Sequence, residues 1–332
     1  MFEHQTILVT GATGSWGNEL VKQLLLKNPK EIRVFSRNEA SQVAMQRRFN
    51  DPRLQFIIGD IREKESLIKA CTGVEILFHL AALKHVPVCE AQPLEAFKTN
   101  VIGTQNVIDA AIVNKVKKVI YISTDKAANP INFYGYTKAM GEKLIIHANN
   151  ETPDTKFVSV RGGNVLGTNG SVIHVFKEQI EKNGQIGITH KDMTRFFLTL
   201  EDAIKLLFKA SESSIGGEIF VMKMPTCRIL DLAHVLIDDS GRKEIEIVEL
   251  GIRPGEKLHE ILFSEYESET TIVFDEEYFV IIPREKMHEI KERYASYPRV
   301  TLKSYSSQEG RMTKDEIKQL LQKGGFLKLT QK

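Results

Sequence analysis

The residues of this chain best suited to chemistry fall in one stretch, residues 119–138, reading VIYISTDKAANPINFYGYTK. An apolar β-type run, residues 119–122, leads through Ser123 to Thr124, Asp125 and Lys126, which place a hydroxyl, a carboxylate and an ammonium at consecutive positions. A turn-rich segment containing Asn129-Pro130 follows, and Tyr134 and Lys138 then stand four apart at the start of a predicted helix. Residues four apart on a helix share a face, so phenol and ammonium can point into one pocket with the strand-end trio. Tyr134 is then a candidate base, because a positive charge such as that of Lys138 lowers a phenol pKa. A lone Tyr-x-x-x-Lys is a frequent chance pairing; its weight comes from following a strand that ends in Ser-Thr-Asp-Lys.

Such a trio needs a rigid scaffold, and the preceding sequence supplies one. Thr6–Thr10 is a short β-branched run of the kind found in parallel sheets covered on both faces. It enters Gly11-Ala12-Thr13-Gly14-Ser15-Trp16-Gly17, after which Leu20, Val21, Leu24 and Leu25 recur at helical spacing. Strand, glycine loop and helix form the context in which such a loop binds a dinucleotide. Its glycines let the backbone approach a pyrophosphate, which the N–H groups of the helix start then meet. A second strand, 32–36, ends in Ser36-Arg37 where an NAD site usually places a carboxylate. A guanidinium there suits a 2′-phosphate, which favours NADP, although Glu39 stands near enough to reach a ribose. After the third strand, Leu54–Ile58, come Asp60 and Ile61; the aspartate can accept from an adenine amino group or cap a helix starting near Glu63. A fourth strand, 75–80, leads to Ala81 and Ala82, small enough to let a cofactor lie close, and to Lys84, placed for phosphate or sugar. His79 and His85 are expected to make structural hydrogen bonds.

Residues 94–116 read as one long helix carrying Asn100, with Pro93 in its first turn, and 156–160 as a sixth strand ending in Arg161-Gly162-Gly163-Asn164. Alternating strands and helices imply right-handed crossovers, so the expected fold is α/β: a Rossmann-like doubly wound parallel sheet with a ligand crevice at the strand carboxyl ends. Beyond Asn164 the alternation stops, with a helix at Val172–Asn183, a strand at 196–200, a helix at 201–211 and a strand at 218–222. The expected organisation is an NADP-binding Rossmann domain over residues 1–164, with 196–222 returning to it. Residues 165–195 and 223–332 form a smaller, intertwined substrate-binding lobe, and 312–321 an amphipathic tail helix. No linker or repeat separates the two.

Composition excludes several classes. At 332 residues with 42% hydrophobic residues, the chain can bury a large core. A net charge of +2 argues against a strong nucleic-acid binder. Cys71, Cys89 and Cys227 lack metal-ligand spacing, so no metal is expected and buried thiols in a reducing cytoplasm are. The start, MFEHQTILVTGATG, has no signal-peptide pattern, and no window approaches a membrane-spanning length of apolar residues.

Taken together, TGATGSWG, Asp60, Thr124 and Tyr134-x-x-x-Lys138 make the chain resemble the extended short-chain dehydrogenase/reductases. More closely, it resembles the inverting UDP-N-acetylglucosamine 4,6-dehydratases that open bacterial pseudaminic acid synthesis. The residues that carry this resemblance are STDKAANPIN at 123–132, LKHVP at 83–87, MTRF at 193–196, GGEIFV at 216–221 and GIRPGEKLHE at 251–260. The resemblance implies a cytoplasmic, NADP-using homo-oligomer, often a hexamer, acting on UDP-N-acetylglucosamine. It further implies that Tyr134 takes the O4 proton, Lys138 holds the nicotinamide ribose and Thr124 hydrogen-bonds O4. Lys126 takes the C5 proton and Asp125 protonates the departing C6 hydroxyl. Retaining relatives place Asp-Glu where this chain has Asp125-Lys126, so the lysine is the sign of C5 inversion.

Arg195 and Arg253 are candidates for the diphosphate, Glu256 for the uridine, and Asn164 for the sugar or its N-acetyl group. One departure stands out: the family usually reads Arg-Tyr-Gly-Asn where this chain has Arg161-Gly162-Gly163-Asn164, which leaves the C5 outcome open. The other readings are a C5-retaining dehydratase, a nucleotide-sugar epimerase, and a non-catalytic NADP-binding sensor or scaffold. The presence of both Tyr134 and Lys138 speaks against the last.

Overall fold

The structure is a computed structural model that describes residues 1–327 apart from 169, 243, 285 and 286. Six parallel strands, Thr6–Thr10 (β1), Glu31–Ser36 (β2), Leu54–Ile58 (β3), Ile76–His79 (β4), Lys118–Thr124 (β5) and Lys156–Gly162 (β6), lie in the order β3-β2-β1-β4-β5-β6. The chain reverses direction across the sheet between β1 and β4, and a ligand crevice opens at such a switch point. Between these strands run Ser15–Leu25 (α1), Glu39–Phe49 (α2), Lys64–Ala70 (α3), Val86–Ala91 (α4), Pro93–Phe97 (α5), Gly103–Val113 (α6) and Phe133–His147 (α7). Alternation along β1 fixes the layering: Ile7 and Val9 enter one core with Phe78 and Val158, while Leu8 faces a second with Leu77 and Phe157.

The single helix expected over 94–116 is not continuous. A π-helical turn, Lys98–Ile102, separates α5 from α6, and α6 ends at Val113. The extra residue lets buried Asn100 turn sideways: its Oδ1 accepts from Leu83 N at 2.8 Å, and its Nδ2 donates to Leu83 O at 2.9 Å and Thr137 Oγ1 at 3.0 Å. Such bulges serve to aim a side chain, and Asn100 ties the loop after β4 to α7.

Beyond β6 come Asn164–Val165 (β7), Val172–Asn183 (α8), Gln185–Ile188 (β8), Thr194–Leu198 (β9), Leu200–Ser213 (α9), Ile219–Met222 (β10), Thr226–Arg228 (β11), Ile229–Ser240 (α10) and Glu246–Glu249 (β12). They are followed by Ile261–Phe263 (β13), Glu265–Ser268 (α11), Thr271–Val273 (β14), Tyr278–Ile281 (β15), Met287–Tyr294 (α12), Tyr305–Ser306 (β16) and Lys314–Lys323 (α13). Two crossings depart from the expected division. Strand β9, inside 196–222 except for its first two residues, pairs with β7 and β11 in a separate three-stranded sheet, and only α9 and β10 return to the large one. Conversely, β14 and β15, within 223–332, extend the large sheet antiparallel beyond β10, giving nine strands. An uncovered β10 would be a sticky edge; β15 covers it, and Tyr278 stacks edge-on against Phe220 at 5.5 Å. A third core, holding Ile173, Phe176, Ile186, Leu232 and Leu236, lies wholly in the later segments.

Among the described residues no helix is long and apolar enough to cross a membrane, and no cluster of His, Cys, Asp or Glu could hold a metal ion. All three cysteines are buried and unpaired.

Candidate active site

Strand β5 ends at Thr124, and a single 3-10 turn, Asp125–Ala127, carries the next two side chains back over the sheet edge. Helix α7 begins on top of that turn. Its cap, Asn132, accepts from Gly135 N at 2.7 Å, and a Cβ on Gly135 would lie 2.4 Å from Lys126 O. Only glycine permits this approach, and the approach swings Tyr134 over Thr124. The result is a compact polar cluster. Thr124 Oγ1 donates to Asp125 Oδ1 at 2.9 Å, Lys126 Nζ donates to the same oxygen at 2.9 Å, and Thr124 hydrogen-bonds the Tyr134 phenol. Asp125 is fully buried, and its Oδ2 has no partner.

Lys126 meets a second carboxylate. Glu260, just before β13, places Oε1 3.4 Å from Lys126 Nζ, and two further cations stand around it: Lys257 Nζ 3.8 Å from Oε2 and Arg195 Nε 4.0 Å from Oε1. Burial works against the charge on Lys126, but Asp125 and Glu260 outweigh it and hold the ammonium above its ordinary pKa. Burial pushes the Tyr134 phenol up to about 12, with Lys126 and Thr124 pulling it back. Lys138 Nζ donates to Ile122 O at 2.6 Å and sits 3.9 Å over the Tyr121 ring, and burial drops its pKa to about 7 against the pull of Glu142.

The cofactor crevice is built as the glycine loop requires. Gly11 has φ +68°, and a Cβ there would come within 2.8 Å of Ala81 N, so β1 and the end of β4 close to backbone contact. Thr13, Gly14, Ser15, Trp16 and Gly17 form the loop and the first turn of α1, whose N–H groups face the crevice mouth. At the far end Asp60 is not the cap of α3; that position is Glu63, and Asp60 instead binds Arg62 through its backbone N–H at 2.9 Å and its guanidinium at 2.6 Å. Arg37 NH1 stands 3.8 Å from the same carboxylate, which burial raises but Arg62 and Arg37 together hold below its ordinary value. Ser36 is buried and accepts from Gln42 Nε2 at 3.0 Å, so it supports the loop more than it faces outward. Ile61 packs against Gly103, and Ala82 and exposed Lys84 continue the loop after β4. His79 makes the structural bonds expected, to Thr10 at 2.8 Å and Thr104 at 3.0 Å. The residues present therefore fit a dinucleotide: a loop that admits a pyrophosphate against bare backbone, and two guanidiniums at its ribose end.

The sequence profile of the family described as "Polysaccharide biosynthesis protein" matches residues 7–282. This chain belongs to that family. Within it, the chain is 46% identical over 288 residues to the UDP-N-acetylglucosamine 4,6-dehydratase (inverting) of Campylobacter jejuni, covering 85% of this chain and 84% of that one. It is 45% identical over 273 residues to a UDP-glucose 4-epimerase of Rickettsia rickettsii, covering 80% of each. Among solved structures, that of Pen from Bacillus thuringiensis superposes with a TM-score of 0.89 at 38% identity, over 97% of this chain and 99% of that one. The fold is that of the extended short-chain dehydrogenase/reductases.

The residues expected to hold a substrate fall into two groups. Arg195 is buried, and Nη1 donates to Thr194 O at 2.7 Å and Leu258 O at 3.1 Å while Nη2 donates to Lys257 O at 2.9 Å. These bonds brace the 251–257 loop from below. Arg253 is exposed on that loop, and Glu256 lies between, with Oε1 3.7 Å from Arg195 and a buried Oε2 without a partner. Asn164 on β7 likewise leaves its Oδ1 unpartnered. A Cβ on Gly162 would lie 3.2 Å from Met222 Sδ, so a tyrosine there requires that methionine side chain to shift by a few tenths of an ångström. Glu260, Lys257 and Arg62 were not singled out from sequence. Glu260 and Lys257 lie inside the GIRPGEKLHE motif, but only the return of β13 to the 3-10 turn reveals what they face.

Proposed function

We propose that this chain dehydrates UDP-N-acetylglucosamine across C4–C6 with inversion at C5, giving UDP-2-acetamido-2,6-dideoxy-β-L-arabino-hexos-4-ulose. The observation that carries the reading is the pair of buried Asp125 and half-buried Lys126 beside Tyr134, linked at 2.9 Å. Oxidation at C4 alone, or epimerisation through it, needs a base for O4 and no more; elimination of the C6 hydroxyl needs a second base and an acid. Tyr134 takes the O4 proton, with Thr124 hydrogen-bonding the same oxygen. A nicotinamide, when bound, would supply the hydride acceptor for C4 and the hydride donor for C6, with no net oxidation. The 4-ketone acidifies the C5 proton, which Lys126 accepts as an amine while Asp125 gives its proton to the departing C6 hydroxyl, released as water. Proton transfer along the Lys126–Asp125 hydrogen bond generates amine and acid together, so the pair arms itself without an outside donor. Inversion follows when C5 is reprotonated from the opposite face by a solvent proton, while Tyr134 returns the O4 proton to solvent, so that water is the one net loss.

The cofactor of this reading is NADP, supported by Arg37 beside Asp60. Loop residues Gly11, Thr13, Gly14 and Ser15 take the pyrophosphate, and Lys138 the nicotinamide ribose. Arg253 meets the diphosphate, Glu256 the uridine, and Asn164 and Lys84 the sugar. By family resemblance the protein is a cytoplasmic homo-oligomer, a hexamer, feeding bacterial surface or flagellin glycans of pseudaminic acid type. NMR of the reaction with UDP-N-acetylglucosamine in D2O tests the reading. A 4-keto-6-deoxy sugar with deuterium and inverted configuration at C5 is expected. A product that keeps its C6 hydroxyl would make the chain an epimerase, as the Rickettsia relative is named, and retained C5 configuration would remove the inversion.

A further inference from the structure

We propose that Glu260 is a positioning residue for Lys126, the second jaw of a carboxylate clamp that keeps the amine aimed at the sugar while Asp125 works as the acid. The inference rests on the dehydratase reading of the site and names a residue that neither its motif nor its neighbours in sequence assigned.

A lysine tip on a four-carbon stem has many rotamers, and one carboxylate fixes only one of its donors. Lys126 Nζ has Asp125 Oδ1 at 2.9 Å on one side and Glu260 Oε1 at 3.4 Å on another, while the side chain keeps 21% of its surface open to the cleft. Glu260 itself is 2% exposed, and it is rigidly mounted. Its N–H donates to Ser307 Oγ at 2.9 Å, Ser307 N donates back to its carbonyl at 2.8 Å, and Ser307 Oγ lies 2.8 Å from Thr194 Oγ1. The side chain sits among three cations within ion-pair distance, and Lys126 is the nearest of them. Its Oε2 has no hydrogen-bond partner, and Lys257 and Arg195 stand 3.8 and 4.0 Å away, too far to bond it. A buried carboxylate so placed costs free energy, and its nearest cation is Lys126.

The purpose becomes clear when protons move. Once the Lys126 proton passes to Asp125, that pair is neutral and its attraction is gone. Glu260 then remains as the anion that accepts an N–H of the amine and keeps its lone pair directed at C5. The charged or titratable groups facing Lys126 are Asp125 on its own turn, Glu260 before β13, Arg195 on β9, Lys257 and Glu256 on the 251–257 loop, and Tyr134 on α7. Removing the Glu260 charge leaves one close carboxylate against Arg195 and Lys257, so the ammonium becomes easier to deprotonate.

Glu260→Gln and Glu260→Asp, assayed as full-length protein with NADP and UDP-N-acetylglucosamine, separate the possibilities. Single-turnover absorbance of reduced nicotinamide reads C4 oxidation, and solvent deuterium at C5 reads the Lys126 step. Glu260→Gln should lose about 100-fold in C5 exchange, the scale of one acid–base contribution, and far less in C4 oxidation, with the Lys126 limb of the rate profile moved to lower pH. Glu260→Asp keeps the charge but withdraws it by one methylene; it should hold the limb where wild type has it and still lose about tenfold in exchange. Equal losses in both steps, or exchange and limb unchanged in either folded variant, overturn the clamp. If wild type itself yields no 4-keto-6-deoxy sugar, the function reading fails instead, so the two failures are distinct.

Discussion

At the scale of single residues, a second lysine joins the phenol. The Tyr-x-x-x-Lys spacing pairs Tyr134 with Lys138, whose ammonium donates to Ile122 O and lies over the Tyr121 ring, and Lys126 adds a positive charge that favours the Tyr134 phenolate. One lysine then serves two steps: its charge makes the phenol a better base toward O4, and its amine, after proton transfer to Asp125, takes the C5 proton. These demands are compatible because they fall at different moments. A nearby positive charge favours phenolate, so removing it must raise the phenol pKa from about 12 and move the rate limb it governs to higher pH. Lys126→Met is therefore expected to leave NADP affinity intact, to cut 4-keto-6-deoxy product by at least about 100-fold, and to slow reduced-nicotinamide formation most at the acid end of the range. Stopped-flow absorbance across pH measures the second effect and NMR the first. Turnover equal to wild type would remove Lys126 from the mechanism.

Elements set what each residue can reach, and the ends of β2 and β3 show how. Register in the parallel pair places Ser36 opposite Ile58, so the residues just beyond, Arg37 and Asp60, emerge side by side. Asp60 then gathers Arg37 at 3.8 Å and Arg62 at 2.6 Å, and Glu95 neutralises Arg62 from its other side at 2.8 Å. Exposed Arg37 is therefore the guanidinium placed for a phosphate where an NAD site would present a bare carboxylate. Hydrogen bonds to charged groups are worth roughly 1.5–3 kcal/mol, so Arg37→Ala should weaken NADP by about tenfold or more and NAD by much less. Fluorescence titration with each dinucleotide decides it, and equal losses would show that Arg37 does not read the 2′-phosphate. The strands and the glycine loop of this region were legible in sequence because each is encoded locally, by a β-branched run and by Gly11 needing φ > 0. The π-helical turn was not, because residues 94–116 keep a helical apolar rhythm throughout, and the deviation is imposed by the bonds of Asn100 to Leu83 and Thr137. Arg62 was missed for a similar reason: nothing in its own neighbourhood marks it until Asp60 fails to cap α3.

At the scale of the molecule, the site is assembled from both ends of the chain. Thr124, Asp125, Lys126 and Tyr134 come from one continuous stretch and were readable as a group, whereas Glu260 and the bracing of Arg195 exist only because the last third folds back. That return is pinned by a buried arginine. Arg161, fully within the core, donates to both Glu142 oxygens of α7 at 2.9 and 2.6 Å, to Glu267 of α11 at 3.2 and 3.0 Å, and to Leu262 O at 2.9 Å. Leu262 belongs to β13, so the same guanidinium that holds α7 also fixes the strand that delivers Glu260. Breaking a buried ion network by removing one partner leaves uncompensated charge and costs about 3–5 kcal/mol. Arg161→Met should lower the urea unfolding free energy by about that amount and blunt C5 exchange more than cofactor binding, since the Rossmann strands do not depend on β13. The pH dependence adds a check on the cause. Burial alone would raise the Glu267 carboxyl, but Arg161 overrides it and holds the group below its ordinary 4.5. A carboxylate with a depressed folded pKa adds stability that is fully present above the unfolded value and lost as pH falls through the folded one. Wild type should therefore lose stability on acidification below about pH 4.5, while Arg161→Met, whose buried carboxylates gain from protonation, should lose less over the same range. A parallel fall in both proteins would mean that the arginine packs between α7 and β13 without supplying the charge that joins them.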